Sequence, residues 1–142
     1  MEFKIDSLIQ KKIFEILISV DKLFEPSLSS TLDLYLYSEK LATHAKFLVC
    51  YVNSQIVGFI AFYTNNIAKQ YYIPLICVGS GYQCQGIGRR LLESLEANAP
   101  ISITSIGLEV NKANLIAFQF YMRMGFRIAE DRGVKYLMVK DI

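Results

Sequence analysis

The chain is short of cysteine and histidine, lacks any long apolar run, and carries almost no excess charge. Its three cysteines, Cys50, Cys77 and Cys84, are an odd number with no paired spacing, which gives no support to a disulfide framework. Two of them lie in strand-like runs, where a thiol behaves as a small hydrophobe. A reduced, cytoplasmic protein is the expectation. No stretch reaches the ~18 consecutive apolar residues that span a bilayer, and the start, Met1 to Asp6, has no basic segment leading into an apolar core. No membrane partner is therefore expected. A net charge of +2 without a basic stripe gives no footprint for nucleic acid either. Repeats, low-complexity segments and linkers are missing too. With 53% hydrophobic and 20% charged residues over 142 positions, residues 1–142 read as one globular domain.

What is present begins with a short strand at Phe3 to Ile5. Ser7 and Gln10 have capping-box spacing, and Ile9, Ile13, Ile16, Leu17, Val20 and Leu23 recur at helical intervals, predicting a helix to about Phe24 that Pro26 stops. Ser30 with Asp33 predicts the start of a second helix, ending near His44. His44 is either a general base or a solvated helix-end residue, the plainer reading. Tyr35 and Tyr37 divide between core and water, or line a substrate mouth. Phe47 to Val52 and Ile56 to Tyr63, joined by Asn53-Ser54-Gln55, predict a β-hairpin, with Gly58 marking a bulge or a close backbone approach. Tyr71 to Val78 is a further strand interrupted by Pro74. The proline removes a ladder donor, so it marks either a plain edge or a splay that leaves the backbone of Leu75 to Val78 open to a ligand.

That strand empties into Gly79-Ser80-Gly81-Tyr82-Gln83-Cys84-Gln85-Gly86-Ile87-Gly88-Arg89-Arg90 and then into a helix whose apolar face is Ile87, Leu91, Leu92 and Leu95. A glycine-rich strand-to-helix junction turns free backbone N–H groups outward with the helix dipole behind them, which suits a phosphate. A dinucleotide fingerprint from Gly86 and Gly88 would need a third glycine where Leu91 stands, and a P-loop would need lysine and a hydroxyl residue where Arg89 and Arg90 stand. Both are excluded. Ile101 to Val110 predicts a strand, Ile116 to Tyr121 lies in a helix closed by Gly125 as a left-handed cap, and Phe126 to Ala129 with Tyr136 to Val139 forms a last hairpin.

Gln83-x-x-Gly86-x-Gly88 after a strand resembles the acyl-CoA pyrophosphate loop of the GNAT superfamily of N-acetyltransferases. Leu108-Glu109-Val110, Asn114, Ala117 and Phe120-Tyr121-x-x-Met124-Gly125-Phe126 resemble, in order and spacing, that superfamily's later motif. The two motifs cover roughly the last seventy residues; the first half is similar only in element order. The resemblance implies an α/β (α+β) fold: one GNAT-like domain with a mixed, mostly antiparallel sheet, a splayed strand pair and flanking helices. It implies acetyl-CoA as co-substrate, no metal, and an amine acceptor. The backbone of Gln83, Cys84, Gln85, Gly86, Ile87 and Gly88 would hold the pyrophosphate, with Arg89 or Arg90 near the adenosine phosphates unless these are solvated helix charges. Ile76, Cys77 and Val78 would pair with the pantetheine amides, Val78 N–H being the candidate oxyanion donor. Asn114 and Ala117 would lie near the pantetheine arm.

Tyr121 is the proton donor that the resemblance implies, against a plain packing role. Glu109, twelve residues earlier, occupies the position of the base in the ribosomal-protein alanine acetyltransferases; alternatively it pairs with Lys112 or orients water. Cys84 contributes its backbone or an activated thiol. Gly79-Ser80-Gly81 departs from the family's usual aspartate and proline. The acceptor site falls to the variable residues 24 to 45, and its substrate is open. A non-catalytic acyl-CoA sensor and a plain interaction domain are the other readings. A homodimer is compatible with the sequence.

Overall fold

The computed structural model describes all residues 1–142. Its strands are β1 (Glu2–Asp6), β2 (Lys46–Val52), β3 (Gln55–Asn65), β4 (Gln70–Val78), β5 (Ser105–Asn111), β6 (Arg127–Asp131) and β7 (Lys135–Asp141). They form one seven-stranded sheet in the order β1-β2-β3-β4-β5-β7-β6. Its helices are α1 (Gln10–Val20), α2 (Leu34–His44), α3 (Ile87–Asn98) and α4 (Leu115–Arg123). Only β4 and β5 run parallel, joined through α3, because parallel neighbours need a long crossover while the antiparallel pairs can close through short turns. The predicted class, a mixed and mostly antiparallel sheet flanked by helices, is the one found.

Two irregularities in the pairing of β3 with its neighbours shape the centre. Cys50 pairs with Gly58 and Tyr51 with Ile56, so Val57 is an extra residue on β3. A Cβ on Gly58 would lie 2.9 Å from the Cys77 carbonyl oxygen, so glycine there serves a close approach as well as a bulge. Farther along, Ala61 pairs with Leu75 and Tyr63 with Tyr72, which sets Ile73 and Pro74 together against Phe62. Pairing between β4 and β5 covers only Gln70 to Ile73 against Ser105 to Leu108. From Pro74 onward β4 stays on β3 alone, and β5 goes on with β7 to Asn111. The splay begins at the proline, as its missing donor predicts.

The sheet separates two apolar layers. On one face Ile87, Leu91, Leu92 and Leu95 of α3, each at most 1% exposed, and Tyr121 of α4 pack on Ile60, Phe62, Tyr71, Ile106, Leu108 and Met138. On the other, Ile13, Leu17, Val20 and Leu41 of α1 and α2 cover Phe47, Val49, Phe59, Ala61, Leu75 and Cys77. Each such aliphatic side chain contributes about 1.5–3 kcal/mol through burial. The second layer rests on β2, β3 and β4 only, so the same face of β5 and β7 has no helix over it.

Several boundaries differ from the sequence expectation. Ser7 does not cap α1: its N–H is held by Asp6 Oδ1 at 2.9 Å, and Ile9 precedes the first turn without a side-chain cap. Three residues are needed to turn from β1 into the helix. Ser30 likewise sits in a short 3-10 turn, its hydroxyl on Ser27 O, while Asp33 itself caps α2 by accepting from Leu36 N at 3.1 Å. α1 stops at Val20 and tightens into a 3-10 turn over Asp21–Leu23. Residues Ile101 to Thr104 are not strand: Ile103 N donates to Pro100 O, closing a turn that leaves Ile101 fully exposed. The hairpin turn between β2 and β3 uses two residues, Asn53 and Ser54, both at positive φ, the twist-compatible choice for right-handed strands.

Candidate active site

The splay exposes a defined set of backbone groups. Gly79 N donates to Val57 O at 2.8 Å, so Gly58 and Val78 form a non-hydrogen-bonded pair. Strand alternation then turns the N–H and C=O of Val78 and Ile76 away from β3, toward the opening, and those of Cys77 toward Phe59. Of the three β4 residues predicted to meet a pantetheine arm, Ile76 and Val78 thus present their backbones to the open edge. Cys77 is turned the other way, and burial pushes its thiol up to about 12. Val78 O already accepts from Gln83 Nε2 at 3.0 Å, which pins the glycine loop to the strand end.

The loop is a 3-10 turn, Ser80–Tyr82, followed by two residues in the left-handed region, Cys84 (φ 61) and Gly86 (φ 77). Gly86 is the N-cap of α3, and no side chain caps the helix. The first-turn N–H groups of Ile87, Gly88 and Arg89 therefore have neither an intrahelical acceptor nor a side-chain cap, beside backbone whose left-handed turns suit an anion-binding concavity. This arrangement fits a pyrophosphate. Gly88 faces α4, where an added Cβ would contact the Phe120 ring at 3.5 Å. Arg89 is held by Glu93 at 2.7 Å on the helix surface, and Arg90 lies over the Phe3 ring at 4.8 Å. Neither guanidinium is directed by these contacts toward the loop. Cys84 is exposed.

On the far side of the opening stands α4. Asn114 caps it, Oδ1 accepting from Ala117 N at 3.1 Å, so its side-chain amide nitrogen is the group left for a ligand. The helix closes as the glycine predicts: Phe126 N donates to Tyr121 O, Gly125 N to Met122 O, and Gly125 has φ 95. That closure fixes Tyr121, whose ring is 8% exposed and packs edge-on against Phe120 and Phe126. Burial raises its phenol above the ordinary range, so it carries its proton at neutral pH.

Glu109 projects from the opposite face of β5, alternating with Leu108 and Val110 of the core. Tyr121 and Glu109 are therefore on the two sides of the sheet and can meet a common ligand only through the splay. Glu109 is not paired with Lys112, which bonds Asp131 at 2.6 Å. Its partner is Arg132, in the β6–β7 turn, with Nη1 donating to Oε2 at 3.1 Å. Three tyrosines surround it: Tyr63 and Tyr72, absent from the predicted site, and Tyr37, which the sequence offers as one lining of a substrate mouth. Tyr72 lies beside Glu109, and burial first, then the Glu109 charge, pushes its phenol up to about 12. Tyr63 pairs across the strands with Tyr72. Tyr37, from α2, donates to Pro74 O at 3.3 Å. Alternation relative to the core residues of β3 and β4 was the available signal for Tyr63 and Tyr72; nothing local marked Arg132. His44 is exposed at the end of α2, the plainer of its two readings, and Tyr35 is exposed while Tyr37 is half-buried.

A splayed parallel pair with uncapped helix amides at its mouth and a buried phenol at its side forms a cleft of the kind an acyl-CoA could occupy. The acetyltransferase (GNAT) domain family matches residues 25–136, and the chain belongs to that family; it is an acetyltransferase whose co-substrate is acetyl-CoA. The PaiA N-acetyltransferase of Thermoplasma acidophilum in complex with coenzyme A is similar in structure at 20% identity, with TM-score 0.75 over 100% of both chains. A GNAT family acetyltransferase of Elizabethkingia anophelis with acetyl-CoA bound gives 0.73 at 16% identity, over 99% of this chain and 97% of that one. An acetyltransferase of Bacillus subtilis in complex with CoA gives 0.74 at 14%, over 99% and 98%. At these identities the likeness is one of fold. No curated protein matches the sequence.

Proposed function

We propose that the chain transfers the acetyl group of acetyl-CoA to a primary amine by direct attack. The observation that supports this reading is the opening after Pro74, with backbone donors along one edge, Tyr121 on one side and Glu109 on the other. Acetyl-CoA supplies an activated carbonyl and a thiolate leaving group. The residues supply the rest. N–H groups of Ile87, Gly88 and Arg89 take the pyrophosphate charge at the positive end of α3, and the open backbone of Ile76 and Val78 orients the arm. Val78 N–H is the fixed dipole for charge developing on the carbonyl oxygen. Glu109 takes the proton that the amine must lose, and Tyr121 hydrogen-bonds the departing sulfur and returns a proton to it.

The test follows free thiol release from acetyl-CoA across a panel of small amines, amino sugars and peptides. Release with one class of amine is the expected result. CoA binding with no release from any acceptor would replace the transferase with a sensor. Glu109→Gln should lower the rate and shift its pH dependence, and an unchanged profile would remove Glu109 as the base.

A further inference from the structure

The residues around Glu109 say what kind of amine fits, if the transferase reading holds. Tyr63 and Tyr72 are cross-strand partners, Tyr72 pairs with Gly107 in β5, and Glu109 lies two residues beyond Gly107 on the same face. Tyr37 closes the group from α2 through its bond to Pro74 O. All four lie on the face where the α1 and α2 layer stops at β4, so the phenols stand on the helix side of Glu109 and no helix covers the β7 side. The Tyr63 hydroxyl is buried and has no hydrogen-bond partner. A polar atom in that position costs free energy until something supplies a partner.

The charges at the rim do not cancel. Arg132 is forked between Glu109 at 3.1 Å and Glu130 at 3.2 Å, while Lys112 and Asp131 neutralise each other at 2.6 Å. Two carboxylates share one guanidinium whose two outer nitrogens are both engaged. The one unpaired cation on this face, Lys135, stands opposite Asn111, beyond Glu109 from the phenols; an ammonium on the phenol side has the carboxylates that share Arg132, phenol oxygens and ring faces.

We propose that the acceptor site formed by Tyr37, Tyr63, Tyr72 and Glu109 selects a cationic aliphatic amine that carries no carboxylate, and that Tyr63 is a specificity-determining contact within it. The phenols stay protonated at neutral pH, since burial raises all three. They therefore contribute dipoles and ring faces without adding anions. A substrate carboxylate on the phenol side would meet Glu109 or Glu130, or would have to break the Arg132 fork, before it reached Lys135 beyond them.

The matched pair 1,5-diaminopentane and lysine, which differ by one carboxylate, tests this. With acetyl-CoA, kcat/KM for the diamine should exceed that for lysine roughly tenfold or more, the discrimination that one uncompensated charge imposes. Tyr63→Phe removes only an unpartnered oxygen, so it should leave Tm unlowered while raising the diamine KM about threefold or more. Equal or better use of lysine, or an unchanged KM in Tyr63→Phe, would overturn the proposal. Calorimetric titration of both amines into the protein carrying CoA gives a readout that needs no turnover. Preferential diamine binding without acetylation of any amine would sink the transferase reading and leave the site standing, whereas acetylation with lysine preferred would do the reverse.

Discussion

At the scale of single residues, Tyr121 and Glu109 differ in how firmly the fold holds them. Tyr121 is fixed by the helix closure through Gly125 and by rings on either side, so replacing it with phenylalanine keeps every packing contact and removes one oxygen. Tyr121→Phe should lower kcat by about 10²-fold, at the low end of what a positioned proton donor contributes, with CoA affinity and Tm unchanged; steady-state rates beside calorimetry with CoA check both halves. A loss of CoA affinity equal to the loss of rate would assign Tyr121 to binding. Glu109 is held by a single long side chain from a turn, Arg132, whose own side chain is 40% exposed. Such an exposed pair adds little to stability, and its consequence is where the carboxylate points. Tyr121 and Glu109 are singled out in the sequence by the resemblance of their motif to that of the superfamily. Their placement on opposite faces of β5 follows from strand alternation. The Arg132 partner, twenty-three residues away, depends on hairpin register, which no local pattern records.

At the scale of elements, the site depends on β4 being held hard against β3 while leaving β5. Gly58 is the point where this is tightest, since a methyl group would lie 2.9 Å from the Cys77 carbonyl and 3.4 Å from Val78 Cα. Backbone, unlike a side-chain tip, cannot swing aside. Gly58→Ala should therefore destabilise the protein by about 1–3 kcal/mol, as overpacking does, and displace Val78 N–H, weakening CoA binding as well. Denaturant unfolding and CoA titration on one preparation measure the two effects; unchanged CoA affinity in a destabilised protein would separate the bulge from the site. The special character of Gly58 and Pro74 was legible beforehand, because each lacks something a strand requires, a side chain or a donor. Helix starts were less legible. Ser7 and Ser30 had capping spacing, but the distance from β1 to α1 and the stronger competition of Asp33 decided where the turns began.

At the scale of the whole molecule, three carboxylates tie down three separate margins, and the acid limb of stability should report them. Asp6 accepts from Tyr51 Oη at 2.6 Å, joining β1 to β2; Asp21 accepts from Ser29 N and Oγ at 2.7 and 2.5 Å, folding the segment between α1 and α2; Asp131 accepts from Lys112 at 2.6 Å and Gly133 N at 3.0 Å, closing the β6–β7 turn beside Glu109. Those bonds lower all three pKa values, led by Tyr51, Ser29 and Lys112 respectively. A carboxylate with a folded pKa below its unfolded value stabilises the fold fully above the unfolded value, about 3.9 for aspartate, and loses that contribution as pH falls through the folded value. Stability should thus be flat with respect to these groups near neutrality and fall as pH drops below about 4. Tyr51→Phe, Ser29→Ala and Lys112→Met should each make that decline shallower, and because the three pairs share no partner the effects should add. Urea unfolding of the single and triple variants at neutral and acid pH gives the slopes. An acid limb of unaltered steepness in the triple variant would mean that these bonds contribute equally in the unfolded chain. A shallower limb in Lys112→Met together with an altered acceptor KM would show that the turn carrying Arg132 is held in place for the site, linking the margin of the molecule to its chemistry.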